Sequence, residues 1–144
     1  MKNARETIYA AVFAKFSGLL AFNLAQRGRV DIQDIRPEAC PAIYMELGHE
    51  VPEVRQGLPT KWTLHPTFFI AVQGSDGATT QGLLNSLKDG IETALKPDSG
   101  ITNDCTLGNL VSHCRIGGGS IEHWEGVNDP FLAVMMIPLE IVTI

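Results

Sequence analysis

The run from Phe131 to Ile144 constrains this chain more than any other segment. Read as a strand, it places Ala133, Met135, Ile137, Leu139 and Ile141 on one face. Leu132, Val134 and Met136, on the opposite face, are apolar as well. A half-buried strand alternates apolar with polar residues, so a strand with two apolar faces must be covered on both. One face needs a layer of helices. The second needs either a loop of the same chain or another subunit. Phe69 and Ala71 sit on the outer parity of the clearest internal strand and tip the choice toward another subunit. Phe69, Leu132, Val134 and Met136 are therefore the candidate subunit-interface residues.

Two amphipathic stripes can supply the helical layer. In residues 4 to 22, Ile8, Val12, Phe16 and Leu19 recur at three- and four-residue steps, leaving Arg5, Glu6 and Lys15 wet. This helix is expected to stop near Gly28, between the basic residues Arg27 and Arg29. A second helix is predicted from Thr79 to Leu95, with Leu84, Leu87, Ile91 and Leu95 on one stripe, Thr79 or Asp76 as the cap and Pro97 just past the end.

Strands fill the remainder. Ala42 to Leu47 is short. Trp62 to Gln73 is the clearest, with Trp62, Leu64, Phe68, Ile70 and Val72 on one parity, and Pro66 marking an edge or a bulge. Between these two, Gly48 to Thr60 holds Pro52, Gly57 and Pro59 and reads as a long loop or an irregular hairpin arm. Leu110 to Ile116 and Ser120 to Trp124 are expected to be joined by a hairpin turn at Gly117-Gly118-Gly119. The order predicts one α+β domain over residues 1–144: a mainly antiparallel or mixed sheet of about four to six strands with two helices packed on one face.

Charge and composition narrow the function. Eleven basic against sixteen acidic residues give a net charge of −5. Affinity for a nucleic-acid backbone comes from Lys and Arg displacing counterions, so this chain is poorly suited to grip DNA, although it suits a wall that DNA slides past. No membrane span is expected, because Lys15, Ser17 and Asn23 break the run Ile8 to Leu24. A signal peptide is rejected because Glu6 and Lys15 interrupt its apolar core. Cys40, Cys105 and Cys114 are odd in number and sparse, which points to reduced thiols in a cytoplasmic setting.

No catalytic or metal pattern emerges. Cys105, Cys114, His113 and His123 contain no C-x-x-C and no H-x₃₋₅-H pair, and the neighbours His113 and Cys114 face opposite sides of a strand. Pairing Cys40 or Cys114 with His49 or His65 as a nucleophile and base has no local signature behind it. The glycine triplet lacks the following Lys-Ser/Thr and helix of a phosphate loop. Trp62, Trp124 and Phe69 are a candidate stacking surface, although such residues more often serve core or interface. No enzyme activity, cofactor or metal is expected.

The ordered segments resemble the tail terminator, or tail completion, proteins of long-tailed bacteriophages. The resemblance spans nearly the whole chain. It rests on the N-terminal helix, Cys40-Pro41-Ala42-Ile43 with Glu46-Leu47-Gly48-His49-Glu50 after it, and the Trp62-to-Val72 strand. It continues through Leu83-Leu84-Asn85, Gly90-Ile91-Glu92-Thr93-Ala94-Leu95 and Leu107-Gly108 to the final strand with Ile137-Pro138-Leu139-Glu140-Ile141. The resemblance implies a mixed α/β fold and a homohexameric ring that caps the head-proximal end of the tail tube. Such a ring stops tube polymerisation and prepares the tail for head joining, with DNA as cargo through its lumen. It implies as partners the chain itself, the major tail tube protein and head–tail connector proteins, and no membrane. It implies assembly in the host cytoplasm and residence in the virion tail. The family carries no active-site residues to transfer. A head–tail connector or stopper subunit is the neighbouring reading. A small α+β ligand-binding domain or enzyme using Cys114 or His113 is the reading from another class.

Overall fold

A computed structural model of the chain describes residues 1–101, 103–117, 119–127 and 129–144. The elements run α1 (Arg5–Ser17), β1 (Leu24–Arg27), β2 (Ala42–Glu46), β3 (Glu50–Glu53), β4 (Lys61–Leu64), β5 (Thr67–Gln73), α2 (Gly77–Ala94), β6 (Val111–Ile116), β7 (Glu122–Glu125) and β8 (Leu132–Thr143), with short 3₁₀ turns at Ile32–Asp34 and Pro37–Ala39. The class is α+β, as expected. The sheet is larger than the sequence suggested: it is mixed and has eight strands, because β1 and β3 join it and the expected strand Trp62 to Gln73 is split at Pro66 into β4 and β5.

β8 is the axis. It pairs antiparallel with β5 and then β4 along one edge, and with β7 and then β6 along the other. β5 and β4 keep one register on β8, with Thr67 opposite Pro138 and Leu64 opposite Ile141. They form a single strand broken at His65-Pro66, where the Pro66 carbonyl still accepts the Leu139 N–H at 3.0 Å. Pro66 therefore marks an interior break, since its missing N–H removes one rung of the ladder. β2 and β3 lie one after the other along the outer edge of β5 and β4, and β1 adds to β2 in parallel.

The expected hairpin at Gly117-Gly118-Gly119 does not occur, although Gly118 itself lies outside the described residues. β6 and β7 both pair with β8, Ile116 opposite Leu139 and Glu122 opposite Met136, so they follow one another along one edge of it and do not pair with each other. Pro138 explains the break between them. Its carbonyl faces this edge, where it accepts the Gly117 N–H at 3.1 Å, but it has no N–H to return. Gly117 also lies close against β8, where a Cβ would come 2.7 Å from the Cβ of Glu140.

Both helices cover the inner face. Ile8, Tyr9, Val12 and Phe16 of α1 and Leu84, Leu87 and Ile91 of α2 share one core with Ile43, Met45, Phe68, Ile70 and the inner parity of β8. The ring of Phe16 stacks on Phe68 with centroids 4.4 Å apart. Burying an aromatic of this size is worth about 2–3 kcal/mol. Asp76 caps α2, its carboxylate accepting the Thr79 N–H at 2.7 Å. α1 ends at Ser17, well short of Gly28. Leu24–Arg27, good helix formers by propensity, are drawn into pairing with β2, and Asn23 anchors the change through its N–H to the Pro41 carbonyl at 2.8 Å.

The outer face is closed at one end by the chain itself. Ile35, Ala42, Tyr44, Ala71, Leu132 and Val134 form a second cluster, roofed by the 30–40 segment. Leu132 and Val134 are 0% exposed. As interface residues they are therefore corrected: the loop of the same chain, the other cover left open by the sequence, takes them. Phe69 and Met136 stay partly exposed.

Candidate functional site

The roof over the outer face stops short, and a groove of about 770 Å³ opens beside it. Three strands and the roof build it. β5 brings Phe69, β2 brings Glu46, β7 brings Trp124 and Glu125, and the roof contributes Arg29 to Gln33. Cross-strand register explains the apolar floor: Trp124 and Ala71 both pair with Val134, and Phe69 pairs with Met136. Trp124 is 37% exposed, high for so large an apolar ring. Asp31 and Glu46 line it together with Arg29, whereas the Glu125 carboxylate turns to the helical side and accepts from Gln81 Nε2 at 3.0 Å. The sequence named Trp62, Trp124 and Phe69 as one stacking surface. The structure brings Phe69 and Trp124 to the groove and sends Trp62 to the helical side, under the Arg5 guanidinium at 4.5 Å.

The second prominent surface is the far end of the β3–β4 hairpin. Val51, Val54 and Leu58 are exposed along it, Val54 by 82%, and Leu47 is exposed on the chain leading into β3. Isolated exposed apolar residues are ordinary, but three on one short hairpin are more than that. The base of this hairpin is held from several directions. Glu50 accepts from Arg5 Nε and from the Tyr9 hydroxyl, both at 2.7 Å. Burial alone would raise the Glu50 pKa, but the bonds from Tyr9 and Arg5 outweigh it and hold the carboxyl below its ordinary value. Burial and the same carboxylate push the Tyr9 phenol up. The terminal ammonium of Met1 donates to the Thr60 carbonyl at 2.9 Å, and the Trp62 N–H to Thr143 Oγ1 at 2.8 Å. Gly48 is needed where the strand passes His65, since a Cβ would meet the His65 carbonyl oxygen at 1.9 Å. The His49 and His65 rings stack there, 4.1 Å apart. This bracing holds the exposed tip outward.

The residues considered for chemistry are dispersed. Cys105 and Cys114 are buried, and the Cys114 N–H donates to the Cys105 carbonyl at 2.8 Å. Burial, with Cys105 beside it, pushes the Cys114 thiol up to about 12, and burial with Glu38 nearby pushes Cys40 up to about 11. A thiol at such values is almost wholly protonated near neutrality and reacts slowly as a nucleophile. His113 faces away from Cys114 and meets Glu140 Oε1 at 3.2 Å, where Arg115 also donates at 2.6 Å. His113 first and Arg115 second hold the Glu140 carboxyl below its ordinary range. His123 is exposed on β7 beside α2. Among the described residues no group of three or more His, Cys, Asp or Glu is placed to hold a metal ion. No helix among them is long and apolar enough to cross a membrane.

No family model matches the chain, and neither does any curated protein. Among solved structures, a chain described as "Virion of native gene transfer agent (GTA) particle" is 13% identical, with a TM-score of 0.49, and the overlap covers 92% of this chain and 91% of that chain. This distant overlap assigns neither a family nor an activity.

Proposed function

We propose that this chain is a structural subunit of a phage-type virion, a tail terminator that closes as a homohexameric ring on the head-proximal end of the tail tube. The observation that carries the reading is the braced hairpin, which holds Val51, Val54 and Leu58 in water. Apolar area costs roughly 25 cal/mol per Å² while it stays wet, so a protein that fixes such a patch in place gains by giving it a partner. A ring of identical subunits needs two different patches that meet by rotation, and the hairpin and the groove are different patches on opposite parts of one sheet. The ordered sequence resemblance points the same way. The net charge of −5 suits a ring through which DNA passes without sticking.

Electron microscopy of particles made without this gene tests the reading. Tails of uncontrolled length, free of heads, are expected. Tails of normal length joined to heads would end it, and tails of normal length without heads would assign the chain to the connector.

A further inference from the structure

The groove and the hairpin tip are complementary in shape class and in charge, and one molecule cannot join its own. Lys61, at the base of the tip, continues the register that sets Leu64 opposite Ile141, so the tip lies beyond the C-terminal end of β8. The groove lies at the level of Val134 to Met136. Nine residues of strand separate the two levels, which is roughly 30 Å at about 3.3 Å per residue. The tip would have to unzip β3 from β4 to fold back that far. A contact between them is therefore a contact between copies.

The chemistry matches. The groove offers an apolar floor of Phe69 and Trp124 within a volume suited to a few side chains. The tip offers Val54 and Leu58, 82% and 60% exposed. The carboxylates of Asp31 and Glu46 line the groove with the one guanidinium of Arg29, while the Glu125 carboxylate is engaged by Gln81 of α2. The hairpin end carries Arg55 and Lys61 against Glu53, because its other acid, Glu50, is already engaged by Arg5 and Tyr9. Arg55 is fixed at the tip by its Nη2, which donates to the Pro59 carbonyl at 2.8 Å.

We propose that the hairpin tip of one copy, led by Val54 and Leu58 with Arg55 beside them, seats in the Phe69–Trp124 groove of the next copy. The contact is heterologous: each copy gives a tip and receives one, so it propagates and closes by rotation. It rests on the ring reading for its biological setting and specifies which two surfaces meet.

The experiment uses three forms of the full chain: wild type, a tip variant Val54→Asp with Leu58→Asp, and a groove variant Trp124→Ser. Sedimentation velocity reads their assembly state, and thermal unfolding confirms that each is folded. The wild type is expected to self-associate, with each variant alone at least tenfold weaker. An equimolar mixture of the two variants should form heterodimers and nothing larger, because that pair retains one sound tip and one sound groove. Should Trp124→Ser unfold, Glu46→Lys, a rim substitution, replaces it. Variants that assemble like the wild type, or a mixture that stays monomeric, overturn the proposal. So does a wild type that remains monomeric at its highest soluble concentration. In that last case the ring reading still stands or falls on the particle phenotype, since a ring that closes only on the tube remains compatible with it.

Discussion

Replacing Ile35 by Ala should destabilise the chain by about 3 kcal/mol, because Ile35 is the keystone of the roof over the outer face. Its side chain is 1% exposed and packs in one cluster with Tyr44, Ala71, Leu132 and Val134. The substitution removes three carbons, and at about 0.8 kcal/mol each the lost transfer energy is about 2.4 kcal/mol. A cavity term adds to this, but the roof is a loop with short turns and can settle into part of the space, so the total stays near the low end of the 2–5 kcal/mol range for such changes. In a chain of this length that corresponds to a fall in Tm of about 10 °C. Urea unfolding followed by tryptophan fluorescence, at low protein concentration so that self-association adds no stability, is the assay. The urea dependence should be unchanged. Adding Val134→Ala should reveal a coupling of about 0.5–2 kcal/mol with Ile35→Ala, as expected for side chains in one cluster. An Ile35→Ala chain within about 0.5 kcal/mol of the wild type would refute the reasoning. Leu132 and Val134 would then owe nothing to the roof, and their face would again need another subunit.

Other outcomes follow from the same contacts. Val134→Asp should abolish folding, since an unpaired buried carboxylate costs several kcal/mol against a total stability of about 5–15, whereas Met136→Asp, partly exposed, should leave a folded chain; circular dichroism separates the two. Glu50→Gln should weaken the hairpin base by about 1–2 kcal/mol at neutral pH. The folded pKa of Glu50 is lowered, so its stabilisation is present above the ordinary carboxylate value of about 4.3 and is lost as pH falls through the folded value. The gap between wild type and Glu50→Gln should therefore close on acidification, as pH-dependent denaturation would record. Alkylation of the native protein at pH 8 should label Cys40 first and reach Cys105 and Cys114 only on unfolding, by mass spectrometry of the labelled peptides. Gly48→Ala should cost about 1–3 kcal/mol by forcing the strand away from the His65 carbonyl, as a denaturation curve would show.

The sequence by itself determined what depends on periodicity. The inner parity of β8, the buried stripes of α1 and α2, and the shared face of Leu64, Phe68, Ile70 and Val72 were legible, and the Asp76 cap was one of two offered with Thr79, because each is a repeat of 2 or 3.6 residues or a capping chemistry acting within a few residues. The hairpin arm between Gly48 and Thr60 was visible as one of two options through its prolines and glycine. Pairing was not legible. Nothing local says that Leu24–Arg27 leaves its helix to flank β2, or that β6 and β7 share an edge of β8, because both follow from partners far along the chain. The two-faced strand posed the right question, namely what covers Leu132 and Val134. Only the tertiary structure answered it, since whether the 30–40 segment reaches that face is a matter of where long-range pairing leaves the chain. The same fact decided where the roof ends, and so left Phe69 and Trp124, and neither Leu132 nor Val134, at the surface.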